Sequence, residues 1–305
     1  MEFAPIVIFT YRRLQSLKVL INSLHRNPEA SRSEVFIFCD GARGNGDQHD
    51  VEQVQQFAQS IEGFARVHCQ ISDRNHGLAN SVIKGVSEVF SSYYKAIVIE
   101  DDLEVSSNFL AYMNQALDRY ESASKVYSIS GYSFDLKKPR DYTSDVYFLN
   151  RGWSWTWATW KDRWERVDWN VSDYGEFSKD NLKIKNFSLL GSDVNAMLRK
   201  QMEGKIDSWA IRWVYQQYKC GGLTVYPVIS KVYNHGFDQV ATHNVGSNRR
   251  YVTRLDNTDK NIFNWPNNVA ISTLYQQRFY WVMSVPRRML SRLESLWVQL
   301  KRSWK

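Results

Sequence analysis

Three cysteines in 305 residues, Cys39, Cys69 and Cys220, are too few and too unevenly spaced for a disulfide framework or a zinc knuckle. They fit a reducing compartment and are expected as small core residues. No stretch reaches the roughly 18 uninterrupted apolar residues that a membrane-spanning helix needs. A basic leader with a cleavable apolar segment is also missing, since Phe3 to Phe9 runs straight into a strand-like pattern. The expected location is therefore cytoplasmic. Internal repeats and low-complexity tracts are absent. Of the net charge of +7, six units lie from Tyr275 onward, where seven Lys and Arg face Glu294 alone. The rest of the chain is nearly neutral, which argues against a nucleic-acid groove.

What the chain does have is apolar area, at 43% hydrophobic and 14% aromatic residues with 12 tryptophans. Disorder is excluded on that account, because burial of this area offsets the entropy of ordering. Short apolar runs at Ile6–Phe9, Val35–Cys39, Val67–Ile71 and Ala96–Ile99 read as buried strands. Between them, Leu14, Leu17, Ile21 and Leu24 share one helical face, as do Leu78, Val82, Val86 and Val89, and 51–61 forms a weaker helix. Alternation of this kind predicts an α/β fold with parallel strands joined by right-handed crossovers.

The second half is less regular. Ser107 or Asn108 is placed to cap a helix over Phe109–Tyr120, a further helix is expected over Ser208–Lys219, and Leu223–Ile229 reads as a strand. Trp157, Trp160 and Trp164 recur at helical spacing and predict a helix packed on the core. Residues 234–262 are polar and read as a long loop, of a length that is usually functional or mobile.

Four polar clusters follow the strand ends: Thr10-Tyr11-Arg12-Arg13, Asp40-Gly41, Asp73-Arg74-Asn75-His76-Gly77 and Glu100-Asp101-Asp102. In an open parallel sheet these ends face one ligand crevice. Three adjacent carboxylates at a buried strand end repel one another unless a cation compensates. Mg²⁺ or Mn²⁺, held by one or two carboxylates and substrate phosphates, suits the triplet; solvated acids capping the next helix are the alternative.

These clusters, followed by Gly152-Trp153-Ser154-Trp155, resemble in kind and order the GT-A glycosyltransferases. The similarity is greatest to bacterial family 2-like enzymes and the N-acetylglucosaminyltransferase I branch, and it spans roughly residues 4–245. The resemblance implies a Rossmann-like mixed sheet flanked by helices and inverting, metal-dependent transfer from a nucleotide-sugar, nearest to a UDP-sugar. It places Thr10, Tyr11 and Arg12 by the nucleotide, Asp40 on the base, and Arg74 with Asn75, Gly77 and Leu78 beside the ribose and diphosphate. The amides around Gly77, at a helix start, would also suit phosphate. Asp102 would hold the metal, Glu100 and Asp101 would face sugar and ribose, and Trp153 and Trp155 would wall the sugar. In Asp207-Ser208-Trp209 it implies Asp207 as general base, a position that also suits a helix cap. His243, with His235 as competitor, would complete the metal or diphosphate site.

The expected organisation is a catalytic domain over 1–265, with a nucleotide-sugar half (1–105) and an acceptor half (106–265), then a basic amphipathic tail over 266–305. In that tail Met289, Leu290, Leu293, Leu296, Trp297, Leu300 and Trp304 share a face, and Arg287, Arg288, Arg292, Lys301 and Arg302 lie off it. It is suited to an anionic membrane surface, to its own domain or to a second subunit. A glycan acceptor on a lipid carrier, as in bacterial surface-polysaccharide assembly, would match the first. The rival functions are a nucleotidyltransferase, which would want a glycine-rich loop absent from Thr10–Leu14, and a non-catalytic glycan-binding or scaffold protein.

Overall fold

The computed structural model of the chain describes residues 3–236 and 250–303. The first half runs β1 (Ile6–Thr10), α1 (Leu14–His25), β2 (Glu34–Cys39), α2 (Gln48–Gln59), β3 (Arg66–Ile71), α3 (Leu78–Ser92), β4 (Lys95–Glu100), β5 (Leu103–Val105) and α4 (Phe109–Tyr120). It continues through β6 (Val126–Ser130), β7 (Val146–Leu149), β8 (Thr156–Trp160) and α5 (Lys161–Trp164). Helices α6 (Tyr174–Phe177), α7 (Asn181–Ser188), α8 (Val194–Met202) and α9 (Trp209–Lys219) precede β9 (Leu223–Pro227) and β10 (Val232–Asn234). Two last helices, α10 (Thr273–Val282) and α11 (Val285–Ser303), end the described chain.

Eight strands form one mixed sheet in the order β3-β2-β1-β4-β8-β6-β9-β7. The parallel half is the one expected: β2 and β4 flank β1, and β3 follows at the edge. Its alternate residues feed two cores, because side chains along a strand point to opposite faces. Ile6, Ile8, Ile97 and Ile99 join α1, α2 and α4 on one face, while Val7, Phe9, Ala96 and Val98 join α3 on the other. Each such large side chain, once fully buried, contributes about 1.5–3 kcal/mol. Crossovers through α1 and α2 carry the chain one way from β1, and α3 returns it past β1 to β4. The strand order therefore reverses between β1 and β4, and a crevice opens at their carboxyl ends.

Two expectations are corrected. Trp157 and Trp160 lie not on a helix but on β8, antiparallel to both β4 and β6. An odd separation along a strand sends the two rings to opposite faces, Trp160 to the first core and Trp157 to the second. Only Trp164 is helical, in the single turn of α5. Of the cysteines, all unpaired, Cys39 is buried, Cys69 is half-buried because β3 is an edge strand, and Cys220 is exposed just past α9. Asn108 does stand at the N-cap of α4, but its side chain is spent on Asp256 and the Thr258 carbonyl.

Candidate functional site

A crevice of about 200 Å³ lies at the reversal point, lined by Thr10, Tyr11, Arg12, Arg13, Asp40, Arg43, Asp47, Asn75, Leu78, Glu100 and Asp101 over the Phe9 and Phe38 rings. Pockets for drug-sized ligands run to roughly 300–1,000 Å³, so this one suits a ring or nucleoside portion of a larger ligand. Its floor is tightly packed: the Phe9 and Phe38 rings stack at 5.3 Å, and a Cβ on Gly85 would stand 2.8 Å from Phe9.

One wall is made by Glu100 and Asp101 of the acidic triplet, with Asp102 next to them but outside the lining. Phe9 pairs with Glu100 in register, which sets the turn after β1 against the turn after β4. Asp101, 2% exposed, accepts from Thr10 Oγ1 at 2.8 Å and from the Tyr11 amide at 3.3 Å. Arg13 bridges the pair, donating through Nη2 to Asp101 and through Nη1 to Asp102 Oδ2 at 2.9 Å. Burial pushes the Asp101 carboxyl up to about 6 even with the Arg13 charge beside it. Burial, then repulsion from Asp102, pushes Glu100 up to about 8. For Arg13, burial disfavours the charge, but Asp101 and Asp102 outweigh it and hold the guanidinium well above its ordinary pKa.

The opposite wall carries an aromatic ring between cations. Tyr11 donates its hydroxyl hydrogen to Asp47, and the guanidinium carbons of Arg43 and Arg12 stand 5.6 and 6.0 Å from its ring centroid. Asp47 in turn accepts from the Arg43 and Gly44 amides, so the loop after β2 is folded around it. Sequence reasoning placed Arg13 in the cluster after β1 without giving it a role, and passed over Arg43 and Asp47. Their roles depend on partners from 4 to 89 positions away, which no local spacing reveals.

Asp40 ties β2 to the start of α3. Its Oδ1 accepts from the Gly41 and His76 amides and its Oδ2 from Gly77, at 3.1, 2.8 and 3.0 Å. The amides of His76 and Gly77, expected to be spare for phosphate, are thus taken up by Asp40. Gly77 has φ +77°, where a side chain is strained, and Gly41 lies so close to Arg74 that a Cβ would sit 2.5 Å from its carbonyl carbon. Asn75 seals the contact by donating to the Gly41 carbonyl at 2.9 Å, while Arg74 is exposed.

Trp153 and Trp155 precede β8, whose Thr156 pairs with Ile99, so Trp155 stands level with Glu100. Both rings lie outside the crevice lining, in a cluster with Tyr132, Phe134 and Tyr251; the Trp155 and Tyr132 centroids are 4.6 Å apart. Arg151 anchors this segment through a buried two-pronged pair with Asp193 at 2.7 and 2.9 Å. Asp207 lies outside the crevice lining, its side chain 55% exposed and 3.0 Å from Arg212 Nη2. The cap of α9 is Ser208, which accepts from the Ile211 amide. Trp209 does link this helix to the second core, 5.0 Å from Trp157. His243 lies outside the described residues.

Among the described residues no group of three or more His, Cys, Asp or Glu is gathered as a metal cage. The residues present still fit a divalent ion held largely by substrate phosphates. Asp102 Oδ1 is buried and accepts no hydrogen bond among the described residues, Arg13 being spent on Oδ2, and a bare anionic oxygen is costly unless a further donor or cation meets it. The antiparallel β5–β10 pair brings the His235 amide onto the Asp102 carbonyl at 2.9 Å. It also places Gly236 where a Cβ would collide with Asp102 Oδ2. The His235 imidazole is engaged by Glu104, at 3.0 Å.

No curated protein matches the chain. Among solved structures, that of S. aureus TarS 1-349 has 10% identity and a TM-score of 0.44, over 78% of this chain and 61% of that one. A second S. aureus TarS structure has 10% identity and a TM-score of 0.42, over 77% of this chain and 36% of that one. The chain thus spans less than two thirds of either, and likeness this distant carries no argument about the site. Residues 6–200, however, match the family described as Glycosyl transferase family 2. This covers well over half the chain, and with the α/β mixed sheet it makes the protein a glycosyltransferase of family 2.

Proposed function

We propose that the chain transfers a glycosyl group, with inversion, from a nucleoside-diphosphate sugar, of which a UDP-sugar is the nearest analogue, to a hydroxyl of a glycan acceptor. The observation that carries this reading is the meeting, at the β1–β4 reversal, of a cation-flanked aromatic ring with an acid triplet whose Asp102 has a buried oxygen unpartnered among the described residues. In this reading the base packs on Tyr11 between Arg12 and Arg43, with Thr10 and Asp40 beside it. Arg74, Asn75, Gly77 and Leu78 border the ribose and diphosphate. Glu100 and Asp101 receive ribose and sugar hydroxyls, and Trp153 and Trp155 offer flat faces to the sugar. Asp102, joined by His243, would hold Mn²⁺ or Mg²⁺, which when bound neutralises the departing nucleoside diphosphate.

Asp207 takes the acceptor's proton as the acceptor oxygen bonds to the anomeric carbon and the bond from that carbon to phosphate oxygen breaks. Arg212 engages only Oδ1 of Asp207, which leaves Oδ2 to accept the proton with the pair in place. The family favours this function over a nucleotidyltransferase or a scaffold.

Calorimetry with nucleoside diphosphates and Mn²⁺ tests the reading. Asp102→Asn should abolish the metal-dependent part of donor binding, and unchanged affinity would refute the site. Asp207→Asn should keep donor binding but lose transfer; transfer at the wild-type rate would exclude Asp207 as base.

A further inference from the structure

We infer that the outer face of α11 is a docking surface for an anionic lipid bilayer, lying in its plane. At 100° per residue, Val285, Met289, Leu290, Leu293 and Leu296 fall in one arc of this helix. A helix seated on its own domain buries such an arc. Here the seating is reversed: Ser291, on the opposite side, is 7% exposed, and Arg288 donates to Ser192 Oγ at 3.0 Å. The apolar arc is left in solvent, with relative exposures of 52% to 61%. Helix α10 shows the usual arrangement, with Tyr275 and Phe279 in the core, so the reversal belongs to α11.

Charge selects the occupant. Exposed Arg287 and Arg292 border the arc on its two sides, and from Tyr275 onward seven basic residues face one acid. A second copy would set this positive face against itself, whereas anionic headgroups complement it while the acyl boundary takes the leucines. No described helix is long and apolar enough to cross a membrane, which leaves an in-plane seat for α11. This inference stands independently of the transfer chemistry. A lipid-carried acceptor would be presented at the surface so engaged.

Sedimentation of the full chain with phosphatidylcholine–phosphatidylglycerol vesicles, and with pure phosphatidylcholine vesicles, tests it. The chain should pellet with the mixed vesicles at low salt and stay in solution with the neutral ones. A Leu293→Asp, Leu296→Asp double variant should abolish pelleting with an unchanged melting temperature, since both side chains are already exposed. An Arg287→Gln, Arg292→Gln double variant should weaken partitioning roughly thirtyfold, at about 1 kcal/mol per cation. Equal pelleting with both vesicle types, no pelleting with either, or a concentration-dependent dimer abolished by Leu293→Asp would overturn the proposal.

Discussion

Replacing Arg13 with Met tests whether this guanidinium is the counter-ion of the acid triplet. Met keeps most of the apolar stem and removes only the charge and the two bonds to Asp101 and Asp102. Asp101 is 2% exposed and titrates near 6 with Arg13 present, against an ordinary 3.8. Its folded value lies above its unfolded one, so the folded state holds the extra proton. The associated stability is present at low pH and is lost as pH rises from about 4 to about 6, where the wild-type loss stops. Without Arg13 the folded value climbs further, and the loss continues at about 1.4 kcal/mol per pH unit. The variant should therefore cost little at pH 5 and roughly 3 kcal/mol more at pH 8, in line with the 3–5 kcal/mol typical of a broken buried pair. Urea unfolding of donor-free, metal-free protein at both values measures this directly. A destabilisation equal at pH 5 and pH 8 would show that Arg13 is not the charge that offsets Asp101.

Two other substitutions separate architecture from chemistry. Gly236→Ala would drive a methyl group into Asp102 Oδ2, so Mn²⁺-dependent donor affinity should fall at least tenfold while the melting temperature changes little. Unaltered affinity would remove Gly236 from the site. Arg151→Met leaves Asp193 buried with only the weaker influence of the Arg288 charge, and its carboxylate, which burial raises but Arg151 and then Arg288 hold below its ordinary range, would rise. The expected cost is about 3–5 kcal/mol by urea unfolding, with altered near-UV dichroism from Trp153, whose ring centroid lies 5.4 Å from the Arg151 guanidinium. A cost below about 1 kcal/mol would mean the pair is dispensable.

The β1–β4 half and its crevice were legible in the sequence because the signals are local. Apolar runs such as Ile6–Phe9, amphipathic stripes such as Leu78–Val89 and polar residues at strand ends each reflect a period within a few residues. The tryptophan segment misled because spacings of three and four suit a helix, while the choice between helix and strand belonged to β4 and β6, between which β8 completes the ladder. Likewise, Asp40 was readable as a strand-end acid, but only the meeting of two loops directs it to the amides of His76 and Gly77. Local pattern by itself determined an α/β architecture, an acid triplet at a strand end and a basic amphipathic tail. Tertiary structure decided that Arg13, some 90 positions before the triplet, bridges Asp101 and Asp102, and that Val285, Met289, Leu290, Leu293 and Leu296 of the tail helix face outward. Both depend on surfaces assembled from distant segments, and these exist only once the chain has folded.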